Sequence, residues 1–349
     1  MTEKHEGLSY RESGVDIDAQ DEAIRRLRPH VRTTHTPQVL ADIGTFGGLF
    51  HFAQLGFKDP VLVASTDGVG TKLKVAVMAG IHDTVGADLV SHCVNDILVQ
   101  GAVPLFFLDY FATGRLDPAI VESVLSGMAR ACREAGCALI GGELAEMGDL
   151  YRPGDYDIAG FIVGAVERDR LITGSAIAAG DQLLGLASVG LHTNGYSLAR
   201  RIFFDKLGMK HDTPVPELGG ATVARLLLAP HRSYLAPLRE LIDRGLLRGM
   251  AHITGGGLTD NVPRILPEGC SAVFHRSAIA VLPIFRFMQR EGGVADDDMW
   301  RTFNMGVGMV LAVAPAHLAQ VEDHLTSRGE SFARIGVVEA GPRGVVYRD

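Results

Sequence analysis

Ser65-Thr66-Asp67-Gly68-Val69-Gly70-Thr71-Lys72 follows the apolar run Val61-Leu62-Val63-Ala64. Together they predict a buried strand that ends in a ligand-facing turn. Two glycines let the backbone turn tightly and approach a ligand closely. Asp67 can hold a divalent cation, and Thr71 and Lys72 can meet the phosphate oxygens that such a cation bridges. The order differs from a Walker A loop, which has four residues between its glycines and then Lys-Ser/Thr. A plain strand-end turn is the alternative, and the neighbouring segments weigh against it.

Downstream, Asp83 can cap a helix over about Thr84 to Gln100, in which Val85, Leu89, Cys93 and Ile97 recur at helical spacing. Asn95 and Asp96 interrupt it with residue types that helices disfavour. A strand (Leu105 to Tyr110) and a helix (Pro118 to Glu134) follow, and Ala138-Leu139-Ile140 then leads into Gly141-Gly142-Glu143. Asp67, Asp96 and Glu143 thus stand at or near the ends of adjacent elements. Oxygen-only ligands of this kind suit Mg²⁺ bound together with phosphates.

The first half closes with a strand over Ile158 to Val166, and small and charged residues from Glu167 to Gly180 mark a boundary. The second half reads as strands near Gln182 to Ser188, Ala251, Ala272 and Met309. Helices fall near Ser197 to Leu207, His231 to Arg244 and Ala316 to Ser327, before a closing strand pair at Ala333 to Val338 and Val345 to Tyr347. This alternation gives an α/β (α+β) class with two domains, residues 1–168 and 175–349. A length of 349 residues agrees, since single cores stop growing at roughly 250–300 residues.

The net charge of −8 argues against a nucleic-acid surface. The local cluster Arg25, Arg26 and Arg28 reads as a solvated helix face. Cys93, Cys132, Cys137 and Cys270 show no metal or disulfide spacing, which predicts reduced thiols in a cytoplasmic protein. With a polar start and no apolar run of ~20 residues, no membrane partner is expected.

Several segments carry a family resemblance. Ser9-Tyr10-Arg11-Glu12-Ser13-Gly14-Val15-Asp16-Ile17-Asp18, the Asp67 to Lys72 loop and Cys93-Val94-Asn95-Asp96-Ile97-Leu98-Val99-Gln100-Gly101 resemble the aminoimidazole ribonucleotide synthetase family. So do Pro104 to Tyr110, Gly141-Gly142-Glu143, Asn194-Gly195-Tyr196-Ser197-Leu198, Ile253-Thr254-Gly255-Gly256-Gly257 and Phe303 to Met309. The order holds along essentially the whole chain. The Asp-Gly-Val-Gly-Thr-Lys loop alone is shared by a wider group that includes thiamine-monophosphate kinase and selenophosphate synthetase. Two departures stand out. Leu144 and Gly148 replace a family Thr and Pro in the Glu143 loop, and Leu191-His192-Thr193-Asn194 replaces Pro-His-Ser-Asn.

The resemblance implies an ATP- and Mg²⁺-dependent closure of an imidazole ring on a small-molecule substrate. It also implies a homodimer whose N-terminal mixed sheets pack into a shared barrel. Asp67, Asp96 and Glu143 become the metal candidates. Lys72 and Thr71 become phosphate candidates that Asn95 can help orient, with Lys72, Asp67 and His192 as catalytic candidates. His192 and Asn194 sit between a strand and a helix, a favoured place for ligand contacts, although a structural histidine is an equal reading. Gly47 and Gly48, in the Gly-rich run Ile43 to Phe50, can close over ATP or simply form a turn. Gly255, Gly256 and Gly257 can offer backbone N–H groups to a substrate phosphate, or serve a turn with positive φ. Another enzyme of the wider group, or a non-catalytic nucleotide binder, is the alternative function.

Overall fold

The structure, a computed structural model, describes residues 13–349; Ser9 to Glu12 of the first motif lie outside the described residues. Helix α1 (Ile17–Arg32) starts at Asp16, whose carboxylate accepts from the Ala19 N–H at 3.1 Å. Strand β1 (Pro60–Gly68) then leads into helices α2 (Lys72–Ala79) and α3 (Asp83–Leu98). Strand β2 (Val103–Thr113), helix α4 (Pro118–Glu134), β3 (Ala138–Glu146) and β4 (Tyr156–Glu167) complete a four-stranded sheet in the order β1-β4-β2-β3. The crossover through α4 makes β2 and β3 parallel, while β4 runs antiparallel to both β1 and β2. Each strand outruns its apolar stretch because pairing with its neighbour continues into the polar ends.

Helices α3 and α4 cover one face of this sheet. Glycines let them cross closely: a Cβ at Gly86 would lie 2.0 Å from the Val124 carbonyl oxygen, and one at Gly127 would lie 2.0 Å from that of Asp83. The other face carries Leu62 and Phe161, 63% and 44% exposed. An alternating strand needs something over such a face.

The second half is built on β5 (Gln182–Ala187), the short hairpin β6 (Pro214–Val215) and β7 (Ala221–Thr222), β8 (Gly249–His252), β9 (Cys270–His275), β10 (Val307–Val313), β11 (Phe332–Ala340) and β12 (Gly344–Arg348). Apart from the hairpin, these strands form a six-stranded sheet, β12-β9-β11-β5-β10-β8. The expected closing strands exist but do not pair with each other. Strand β9 lies between β11 and β12 and runs parallel to β12.

The helices here are α5 (Tyr196–Arg200), α6 (Val223–Leu227), α7 (Leu235–Asp243), α8 (Gly257–Asn261), α9 (Pro283–Gly292), α10 (Asp296–Thr302) and α11 (Leu318–Ser327). The helix expected through Leu207 widens after α5, with the Leu207 N–H reaching the Ile202 carbonyl at 3.0 Å. Helix α7 begins four residues later than its pattern suggests. Side chains of α3 hold the preceding segment extended: the His231 N–H donates to Asp88 at 2.6 Å and the Tyr234 N–H to Asn95 at 2.9 Å. The same helix therefore seats both halves against each other, and Leu98 at its end is buried among Leu238, Leu241 and Met309.

Candidate active site

The loop after β1 does not present all of its groups to one ligand. Lys72 is the first residue of α2, and the helical turn directs its side chain inward to 0% exposure. Its ammonium pairs with Asp88 at 2.7 Å and donates to the His192 and Ala229 carbonyls at 3.1 and 2.8 Å. Three donors thus have three acceptors. Burial pulls the Lys72 pKa down and that of Asp88 up, each against the charge of the other. The expected phosphate-facing lysine is corrected on this point: Lys72 is a buried strut between α2, α3 and the second half. Thr71, by contrast, stays exposed with its hydroxyl 3.2 Å from that of Ser197.

Beside this strut four histidines converge. His92 comes from α3, His192 and His231 from loops, and His252 from the end of β8. Their ring centroids lie 4.2 to 5.1 Å apart in the four contacting pairs. The His92 Nε2 meets Asp67 at 2.7 Å and its Nδ1 meets the Thr193 hydroxyl at 2.7 Å. The His252 Nδ1 meets Asp96 at 2.8 Å, and Ser65 donates to the other Asp96 oxygen at 3.0 Å. Asn95 is fixed by its bonds to Arg232 and Tyr234, so it orients the loop before α7 rather than facing solvent.

Burial is the largest influence and would raise the Asp67 and Asp96 carboxyls. The bond and charge of His92 with the Gly68 N–H at Asp67, and the bonds of His252 and Ser65 with the charges of His252 and His92 at Asp96, together outweigh it and hold both below the usual range. The His92 ring is pushed down by burial and raised further by Asp67, for a net rise. Burial keeps His192, His231 and His252 below the ordinary histidine range, so these rings are neutral near pH 7. His192 holds φ at +60°. Its Nδ1 is buried and has no hydrogen-bond partner among the described residues, and the same is true of the Asn194 amide nitrogen. A buried polar atom left without a partner costs free energy and marks a place where a ligand can bind.

Asn194 lies against Gly255, where an added Cβ would come 3.2 Å from its Oδ1. Gly256 and Gly257 both adopt positive φ, +100° and +60°, and an added Cβ at Gly257 would meet the Trp300 carbonyl at 2.2 Å. The turn reading of this triplet is therefore built into the backbone. Gly255 alone adjoins one of the polar groups without a partner.

Glu143 stands elsewhere. Cross-strand partners place Asp67, Gly160, Asp109 and Gly142 in one row across the sheet. Three spacings of roughly 4.8 Å put the ends of that row about 14 Å apart. Glu143 is one residue off the row and so faces the opposite side. The three carboxylates expected to share an ion therefore separate within one chain into Asp67 with Asp96, and Glu143 alone. Glu143 instead lines a cavity of about 650 Å³ with Gly47, Gly48, Asp109 and Tyr110. The segment Ile43–Gly48 covers this cavity, and Gly48 touches β3 closely, since a Cβ there would sit 2.8 Å from Ile140. Under the flap, Arg28 approaches Asp42 at 3.8 Å, while Arg25 and Arg26 pair with Glu22.

Both halves of the chain match the AIR synthase related protein family, the N-terminal domain over residues 53–166 and the C-terminal domain over 178–349. The phosphoribosylformylglycinamidine cyclo-ligase of Trichlorobacter lovleyi is 52% identical over 332 residues, covering 95% of each chain. The chain belongs to this family. The protein of the same description from Geobacter sulfurreducens is 51% identical over the same span. Among solved structures, thiamine-monophosphate kinase from Stenotrophomonas maltophilia superposes with a TM-score of 0.68 at 17% identity, covering 93% of this chain and 95% of that one. Hydrogenase maturation protein HypE in complex with ATP gives 0.67 at 20% identity, covering 96% and 93%. At such identities the likeness is one of fold.

Proposed function

We infer that this protein closes the imidazole ring of 5-aminoimidazole ribonucleotide from formylglycinamidine ribonucleotide, with release of ADP and phosphate, in purine biosynthesis. The observation that carries this reading is 52% identity to a cyclo-ligase over 95% of both chains. Loss of the formyl oxygen needs a better leaving group, and ATP supplies it by phosphorylating that oxygen. An amidine nitrogen then attacks the activated carbon, and the site must align the two groups and exclude water.

The residues present fit that task. Asp67 and Asp96 offer ionised oxygens at the mouth of the cluster, the donor type that Mg²⁺ takes, and Mg²⁺ there would neutralise phosphate charge. The flap glycines Gly47 and Gly48 suit close approach to ATP, with Thr71 available to its phosphates. The partnerless His192 Nδ1 and Asn194 amide, beside Gly255, face the substrate in this reading. The Val189 N–H occupies the His192 Nε2 at 3.3 Å, so neutral His192 carries its proton on Nδ1 and can donate a hydrogen bond to the substrate. The ATP-binding and dimerising unit is assigned to residues 1–168 and the second unit to 175–349. Four buried free cysteines agree with a cytoplasmic setting.

A homodimer belongs to the same proposal. The sheet has free edges at β1 and β3 and an apolar open face with Leu62 and Phe161. Closing two copies into one barrel about a two-fold axis sets β1 of each beside β3 of the other. The end of β3 in the second copy, which carries Gly141, Gly142 and Glu143, then borders the strand that carries Asp67, so one site draws on two chains.

Purified protein should release one ADP per aminoimidazole ribonucleotide, and only with Mg²⁺ and the formylglycinamidine substrate present. Equal ADP release without that substrate would contradict the assignment, and release only with another acceptor would indicate a kinase.

A further inference from the structure

The histidine cluster holds more nitrogen donors than a Mg²⁺–phosphate site needs. We propose that His92, His252 and Asp96 form a binding site for a first-row transition-metal dication of the Zn²⁺ or Co²⁺ type. One ligand atom from each of the three lies within 4.8 Å of the others. The Asp96 carboxylate reaches the His252 Nδ1 at 2.8 Å and the His92 Nε2 at 3.9 Å. The two contacts run to different Asp96 oxygens. An ion with bonds of about 2.0–2.2 Å holds neighbouring ligands about 3.0–3.5 Å apart, so side-chain shifts of about half an ångström gather the three around it. Imidazole nitrogens favour Zn²⁺, Co²⁺ and similar ions, whereas Mg²⁺ prefers oxygen. Asp67, 2.7 Å from the His92 Nε2 and 41% exposed, lies on the solvent side as a further oxygen donor.

The surrounding bonds are those that metal-bound imidazoles require. A ligating histidine donates its other N–H to an outer partner. The His92 Nδ1 has the Thr193 hydroxyl at 2.7 Å, and the His252 Nε2 has the His231 Nε2 at 3.0 Å. Ser65 steadies Asp96 at 3.0 Å.

The cluster is also held rigidly. Backbone partners fix the Asn95 amide: its oxygen takes the Tyr234 N–H and its nitrogen donates to the Arg232 carbonyl. Its nitrogen also lies 3.3 Å from the His231 Nε2, so the second half of the chain holds the rings from behind. The Thr193 hydroxyl, with two lone pairs, can accept from both His92 and the His231 Nδ1 at 3.3 Å.

This inference shares Asp96 with the Mg²⁺–ATP reading and can fail separately from it. The full chain, dialysed against chelator, is titrated with Co²⁺ and followed by visible absorption and metal analysis, while Mg²⁺–ATP binding is measured in parallel by equilibrium dialysis. One Co²⁺ per chain is expected, with a nitrogen-ligand absorption band that survives about a hundredfold excess of Mg²⁺. His92→Gln and His252→Gln should each abolish stoichiometric Co²⁺ binding while Mg²⁺–ATP still binds, and Thr193→Val should weaken Co²⁺ about 10–100-fold. Co²⁺ lost to Mg²⁺, or bound equally by the histidine variants, would overturn the proposal and leave the ATP reading intact. If the variants fail to fold, imidazole NMR of the wild type decides. One equivalent of Zn²⁺ should shift the His92 and His252 resonances, and unshifted resonances would overturn the site.

Discussion

The two ends of the row Asp67–Gly160–Asp109–Gly142 differ in how far one chain completes them. At the β1 end every carboxylate has its partners: Asp67 has His92, Asp96 has His252 and Ser65, and Asp88 has Lys72. At the β3 end Glu143 is exposed beside a cavity roofed by glycines. The difference is one of preorganisation. The finished end is held by side chains from both halves of the chain, so its geometry is set before a ligand arrives. The open end depends on a flap and, in the proposal above, on a second copy. Substitutions at the first end should act through charge and stability, and those at the second through binding.

The largest effect is expected where a ligand oxygen is removed from the finished end. Asp67→Asn or Asp96→Ala should abolish Mg²⁺-dependent turnover; Asp67→Asn should change the melting temperature little, whereas Asp96→Ala should lower it by leaving buried His252 without its carboxylate. Turnover at the wild-type rate under limiting Mg²⁺ would make both carboxylates structural. Next, Lys72→Met should cost about 3–5 kcal/mol of stability by leaving Asp88 buried without its cation. Lys72→Met/Asp88→Leu should recover much of that loss. A Lys72 variant with normal stability and a raised KM for ATP would return Lys72 to the phosphates.

The buried Asp109 between the two ends gives a pH signature. Burial raises its pKa to about 7 from an ordinary 3.8. The folded state then holds a proton that the unfolded chain has already released. Its contribution is full below about pH 4 and is lost as pH rises through about 7. The three-unit shift corresponds to roughly 4 kcal/mol across that window. Asp109→Asn should flatten the stability profile between those pH values, as read by denaturant midpoints, and an unchanged slope would show Asp109 ionised throughout. The smallest effect belongs to the flap. Gly48→Ala places a Cβ 2.8 Å from Ile140, whereas Gly47→Ala meets nothing within 4 Å. Gly48→Ala should raise the KM for ATP about tenfold, some 1.4 kcal/mol, with Gly47→Ala near wild type. Equal values for the two would remove the flap from the site.

Part of this arrangement is legible in the sequence, and the rest is not, for physical reasons. Strands β1, β2 and β4 and helix α4 are legible because apolar runs, Pro118 and glycines punctuate them. Asp67 and Asp96 were legible as a pair of strand-end and helix acids. The fate of Lys72 was not, because the first turn of α2 rotates it away from Asp67, and no loop pattern reveals that rotation. The histidine cluster was also missed beyond His192. Residues 92, 192, 231 and 252 come from four separate elements with no common spacing. One trace was present: Asp88, His92 and Asp96 recur at i, i+4, i+8 along a helix that is otherwise apolar. Such a polar stripe on a buried helix needs partners, and the second half supplies them. The separation of Glu143 depended on strand order, which the succession of elements does not give.

Mixing two inactive variants tests the shared site most directly. Asp67→Asn protein and Glu143→Gln protein are each dissociated, combined and reassembled, and substrate-coupled ADP release is measured. A site built from two chains leaves one intact site in every mixed dimer. Random reassembly should then restore about a quarter of wild-type activity from two inactive proteins. A mixture as inactive as its components, with mixed dimers verified by mass, would place both carboxylates within one chain's site and contradict the account.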